Sequence, residues 1–154
     1  MSNRILVAID NSQASVAAIK VAVRVARENW KELILLNVIE GKVGHKSTVE
    51  TGGDPVTMTH VQLEQFFKSS VAFGLNGVRY RTIVETGDIK TKVLGIAEIM
   101  GVEMIVIGFV GLKGVGKFKA LGDVARSIIE ESKIPVLVVP QEQKDLRVAP
   151  NQLA

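Results

Sequence analysis

Five short, mostly apolar runs alternate along this chain with longer stretches whose apolar residues recur every three or four positions. A strand with one wet face alternates apolar and polar residues, so an unbroken run marks a strand covered on both faces. The amphipathic stretches between the runs supply the covering helices. The runs occupy residues 5–9, 33–39, 78–84, 104–107 and 136–139, the third with a more alternating character. Val16, Ile19, Val23, Ala26 and Trp30 set one helical stripe, Val93, Ile96, Ala97 and Met100 a second, and Val124, Ala125, Ile128 and Ile129 a third. Residues 61–73, held by Leu63, Phe66 and Phe67, read as one more helix. Ser12 is placed to cap the first helix, Gly101 to close the third, and Pro135 to follow the fourth. The pattern is a repeated strand–helix unit with a closing strand, which predicts an α/β protein built on an open parallel sheet.

The 154 residues suit one domain, expected over residues 1–140, followed by a polar tail at 141–154 that contains Pro150. A chain of this length buries roughly 70% of the surface its unfolded form exposes, so its core needs no covalent staples. Residues 40–56 carry Gly41, Gly44, Gly52, Gly53 and Pro55 and read as a long connection, either a flap or local disorder. Cysteine is absent, which removes disulfides, thiolate metal sites and cysteine nucleophiles together and suits a reducing compartment. The first apolar run is too short for a signal-peptide core, and the longest, at 104–112, falls well below the ~20 residues that span a bilayer. A cytoplasmic protein with no membrane partner is expected. The net charge of +3 arises from 19 Lys and Arg interleaved with 16 Asp and Glu. With one Trp, one Tyr and five scattered Phe there is no row of stacking aromatics, so no nucleic-acid partner is expected.

The stretch after the fourth run holds Gly108, Gly111, Gly114 and Gly116. Closely spaced glycines admit positive φ and let backbone N–H groups converge on an anion, and the helix starting near Asp123 would aim its free N–H groups at the same place. The stretch reads as a phosphate cradle or as a plain flexible connection. Gly111-x4-Gly116-Lys117 meets the P-loop spacing, but Phe118 replaces the Mg²⁺-binding hydroxyl and no helix adjoins. The dinucleotide fingerprint is missing as well, because Asp10-Asn11-Ser12 follows the first run where glycines should stand. Catalytic candidates are few. His45 and His60 both lie near the long connection and read as surface residues, Glu130 and Glu131 project about 100° apart on one helix, and no nucleophile stands beside a base. No catalytic residue and no protein-borne metal set is predicted.

The order and spacing of several segments then become specific. Ile5-Leu6-Val7-Ala8-Ile9-Asp10, Asn37-Val38, Gly87, Ile105-Val106-Ile107-Gly108 and Ile134-Pro135-Val136-Leu137-Val138-Val139 together resemble the universal stress protein family, from Arg4 to Pro140. The resemblance implies a Rossmann-like five-stranded parallel sheet of order 3-2-1-4-5 flanked by four helices, and a homodimer joined through the closing strand Val136–Val139. It further implies an adenine nucleotide, ATP, at the glycine-rich loop, in the service of stress response or signalling rather than catalysis.

The nucleotide-binding branch of that family carries Gly-x2-Gly-x9-Gly-Ser/Thr. Here Gly108-x2-Gly111 matches, ten positions rather than nine precede Gly122, and Asp123 replaces the hydroxyl residue. By resemblance Asp10 and Val38 address the adenine beside Ala8 and Ile9. Gly108, Gly111, Lys113, Gly122 and Asp123 take the phosphate side, flanked by Ile107, Val110 and Val124. A carboxylate ~5 Å from a phosphate charge, at an effective dielectric of about 20, costs roughly 3 kcal/mol or about a hundredfold in affinity. Asp123 therefore caps the helix and turns away, is offset by Lys113, Lys117 or Lys119, or ligates a Mg²⁺ carried on the triphosphate. The alternative is a dimeric partner-binding protein of the same fold that has lost ATP. A third reading, slow ATP hydrolysis, would draw on Asp10 or Asp123.

Overall fold

The structure, a computed structural model, describes residues 3–10, 13–40, 55–71, 77–109 and 122–141. Its elements are β1 (Arg4–Ala8), α1 (Gln13–Asn29), β2 (Glu32–Ile39), α2 (Pro55–Ser70), β3 (Tyr80–Thr86), α3 (Ile89–Ile99), β4 (Met104–Gly108), α4 (Asp123–Glu131) and β5 (Val136–Val139). All strand pairs are parallel, in the order β3-β2-β1-β4-β5. This is the sheet that the family resemblance implied.

The apolar runs have a direct cause in the packing. Successive side chains of one strand point to opposite faces, and here each face meets its own helices. Ile5 and Val7 of β1, Leu33 and Leu35 of β2 and Val106 of β4 join Ala18, Ile19, Ala22 and Val23 of α1 and Phe67 of α2 in one core. Leu6, Ile34, Leu36, Ile105 and Ile107 join Val93 and Ala97 of α3 and Ala125 and Ile128 of α4 in the other. Thus α1 and α2 cover one face and α3 and α4 the other. Phe67 is fully buried and meets Tyr80 of β3 with ring centroids 4.8 Å apart at an interplanar angle of 56°.

Several boundaries differ from the sequence reading. α2 begins at Pro55 and ends at Ser70, against the expected 61–73, because proline favours the first helical position, where its missing N–H costs nothing. Of the connection expected at 40–56, its last two residues belong to this helix, and 41–54 lie outside the described residues. β3 runs two residues later than the expected 78–84. Trp30, read as part of the buried stripe of α1, lies beyond the helix, is 84% exposed and has φ 55°. The stripe ends at Ala26, whose carbonyl accepts the Lys31 N–H at 2.9 Å and so closes the helix. This makes Trp30 the left-handed residue after the helix, a position glycine usually fills. Gly101 fills the matching position after α3 with φ 60°, as expected. Ser12, and the expected tail from residue 142 onward, lie outside the described residues. No helix among the described residues is long and apolar enough to cross a membrane.

Candidate functional site at the switch point of the sheet

β1 and β4 are neighbours, yet β1 leads into a helix on one face and β4 into a helix on the other. The chain thus diverges above and below the sheet at their carboxyl ends, and open parallel sheets bind ligands in the crevice so formed. Asp10 stands there, two residues beyond β1. Its backbone N–H donates to Ser15 Oγ at 2.8 Å, and Ser15 Oγ donates in turn to Asp10 Oδ1 at 2.8 Å. Ser15 is buried in the first turns of α1. Just before Asp10, the Ile9 N–H donates to the Leu36 carbonyl and the Ile9 carbonyl accepts from Asn37 Nδ2, both at 2.8 Å. The turn after β1 is therefore tied to α1 and to β2, and it presents Asp10 in one fixed setting.

Gly108 closes the other side. A Cβ on it would lie 2.7 Å from Ala14 Cβ and 2.9 Å from both the carbonyl carbon and the oxygen of Ala14. The first turn of α1 therefore occupies the space that a side chain at 108 would need. The sequence reading gave Gly108 to the phosphate side only by resemblance; in the structure the glycine is required for the close approach of α1. Phe109 then donates its N–H to the Val139 carbonyl at 2.8 Å, extending the β4–β5 pairing past the strand end.

The other expected residues divide by environment. Ile9 and Ile107 are core side chains, one in each hydrophobic cluster. Ala8 and Val38 are half-buried against the α3–α4 core, at the carboxyl ends of β1 and β2. Gly122 and Asp123 open α4. The helix cap is Gly122, with φ −61° and ψ 152° and no capping side chain. Asp123, for which capping was one of three readings, is the first helical residue and is exposed. A carboxylate there favours the positive end of the helix dipole, the same end an anionic ligand would use. Val124 and Ile129 are each 40% exposed, while Ala125 and Ile128 are buried, so the four do not form one stripe. Val110, Gly111 and Lys113 lie outside the described residues.

Two residues that fix the site were given no role by the sequence reading, Ser15 and the side chain of Asn37. Each had a signal. Asn37 is the single polar residue in the run 33–39, and Ser15 lies on the first turn of a helix directly after an acidic strand end. After β3, Asp88 caps α3: its Oδ2 accepts from the Thr91 N–H at 3.0 Å and from Thr91 Oγ1 at 2.7 Å. The Thr91 hydroxyl bond, followed by the Thr91 amide bond, holds the Asp88 carboxyl below its ordinary range.

An open parallel sheet with helices diverging to its two faces defines an α/β protein of the doubly wound kind. Residues 1–140 match the universal stress protein family, and the chain belongs to that family. It is 31% identical over 151 residues to the universal stress protein YxiE of Bacillus subtilis, covering 90% of this chain and 99% of that one. Its fold superposes on universal stress protein UspA from Lactobacillus plantarum with a TM-score of 0.72 at 20% identity, covering 90% and 99% of the two chains. Two other similar structures are a universal stress protein in complex with cAMP, with a TM-score of 0.65 at 20% identity over 92% and 98% of the chains, and one from Archaeoglobus fulgidus in complex with dAMP, with a TM-score of 0.62 at 17% identity over 88% and 96%.

Proposed function

We propose that this chain binds an adenine nucleotide, ATP in the first instance, at the carboxyl ends of β1 and β4, and acts in stress response or signalling as a ligand-responsive module rather than as a fast catalyst. The observation that carries this reading is the setting of Asp10, a carboxylate held by Ser15 at the switch point, where it can accept hydrogen bonds from a base amine or a ribose hydroxyl. The adenine nucleotides found with two structurally similar family members support the same ligand class. The absence of cysteine suits action in the cytoplasm.

The phosphate side is argued from α4. Its amino terminus has glycine as cap and no capping side chain, which suits an anion, while Asp123 in the first turn opposes one. Within this reading Lys113 or a Mg²⁺ carried on the triphosphate offsets that charge. Calorimetric titration with ATP, with and without Mg²⁺, tests the proposal. Binding that weakens at least tenfold in Asp10→Ala supports it, since a hydrogen bond to a charged group contributes ~1.5–3 kcal/mol. A Mg²⁺ requirement that disappears in Asp123→Ser assigns the metal to that carboxylate.

The exposed carboxylate of Asp123 also favours a second reading, a partner-binding dimer that has lost ATP. Under it wild type is silent and Asp123→Ser gains affinity. Both readings include a homodimer through β5: this edge strand is only half-buried over Val136, Leu137 and Val138, and the exposed Val124 and Ile129 come from the helix that precedes it. An apolar edge of this kind is ordinarily covered.

A further inference from the structure

α1 and α2 lie together on one face of the sheet, and the outward side of that pair is chemically distinctive. Lys20, Arg24 and Arg27 of α1 are all exposed. Spaced by four and three residues, they fall within about 60° of the helix circumference and form one row opposite the buried side. Glu28 is the exposed acidic residue beside them on α1. On α2, Lys68 is exposed and Val61, two helical turns earlier on the same side, is 53% exposed. Glu64, the acidic residue of that helix, is engaged by Lys68 at 3.3 Å and by the Tyr80 hydroxyl at 2.9 Å. Just past the end of α1 stands Trp30, the chain's single tryptophan and its most exposed large apolar residue among those described. The next cation, Lys31, turns to Glu103 at 2.9 Å.

We propose that this α1–α2 face docks reversibly on an anionic lipid surface, with Lys20, Arg24, Arg27 and Lys68 against the headgroups and Trp30 in the interfacial layer. A row of cations on a rigid helix, with an aromatic at its end and an exposed aliphatic beside it, is the chemistry by which helices lie in the plane of a charged bilayer. An indole suits that layer because its ring is apolar and its N–H is wet. A nucleic acid is the poorer fit. One aromatic offers one stacking position where a strand needs several. A stable protein interface would place an apolar centre among the cations, and here the row itself is charged throughout. The surface lies away from the carboxyl-end crevice and does not depend on nucleotide binding.

Because Trp30 is the only tryptophan, its fluorescence reports on docking directly. The full chain is titrated with vesicles of equimolar phosphatidylglycerol and phosphatidylcholine, and binding is checked by co-sedimentation. The expected result is a blue shift on these vesicles, none on pure phosphatidylcholine, and reversal at high salt. Each headgroup-facing cation contributes about fivefold to partitioning, so Arg24→Gln with Arg27→Gln lowers it roughly 25-fold. Circular dichroism of that variant shows whether the fold is retained. A second variant, Trp30→Gly, which relieves a backbone constraint, folds at least as well and still loses partitioning by co-sedimentation. No shift and no sedimentation, equal binding to neutral vesicles, or partitioning unchanged in the double arginine variant would each overturn the proposal. So would tight binding of a single-stranded oligonucleotide by a protein that ignores the vesicles.

Discussion

Trp30 and Gly108 are mirror cases of one constraint. A left-handed backbone is costly for a residue with a Cβ, by about 1–2 kcal/mol, and Trp30 adopts it at φ 55°. Trp30→Gly should therefore raise unfolding stability by about 1 kcal/mol, read from the denaturant midpoint, and unchanged or lower stability would show that the indole has compensating contacts. At Gly108 the constraint is space, with the would-be Cβ 2.7 Å from Ala14 Cβ and backbone atoms beside it. Overpacking of this kind costs about 1–3 kcal/mol, so Gly108→Ala should lower the midpoint and disturb Asp10 through the displaced first turn of α1. A fully stable Gly108→Ala would mean that α1 yields easily. Asp88 adds a pH dependence. Its folded-state value is depressed by the Thr91 bonds, so its contribution is present above the unfolded carboxylate value near about pH 4 and is lost as pH falls through the lower folded value. Thermal unfolding of Asp88→Asn should show a shallower loss over that acidic window than wild type. Both Trp30 and Gly108 were visible in the sequence as residues, but not in these roles. Helical spacing counted Trp30 as core because periodicity does not reveal where a helix stops, and Gly108 stood in a glycine-rich run whose simplest use is ligand approach.

Among the elements, those buried on both faces were the most legible. The runs at β1, β2 and β4 appear within one residue at either end, because cores on both faces demand apolar residues along them; the edge strand β5 matches as well, its run being bounded by Pro135 and Pro140. β3 is an edge strand with mixed burial, and its boundaries drifted by two residues. α2 was misjudged because Pro55 ended a glycine-rich segment and looked like a breaker, when it begins the helix. The weight this element carries rests on Phe67, fully buried between α2 and Tyr80. Phe67→Ala should cost about 3–5 kcal/mol, measured by urea unfolding, and a loss below about 1 kcal/mol would show that the space collapses without penalty. The basic row on α1 was hidden for the opposite reason. Lys20, Arg24 and Arg27 are dispersed in sequence and interleaved with apolar residues, so they read as solvated charges until the helix gathers them on one side.

For the whole molecule, composition and periodicity fixed an open parallel sheet, but the strand order came from the family resemblance, since nothing in a strand states its neighbour. That order, found in the structure, creates the switch point between β1 and β4 and makes Asp10 and Gly108 neighbours of the same crevice. The resemblance pointed to Asp10, whereas the roles of Ser15 and of the Asn37 side chain, which hold the turn, are set by the packing of α1 and β2 around it. The most direct test of the account is calorimetric titration of the wild-type chain with ATP beside Asp10→Ala, after checking by mass spectrometry for nucleotide carried through purification. The account predicts micromolar binding by wild type and at least a tenfold loss in the variant. Silence of the wild type up to millimolar ATP, or equal binding by both proteins, would contradict it.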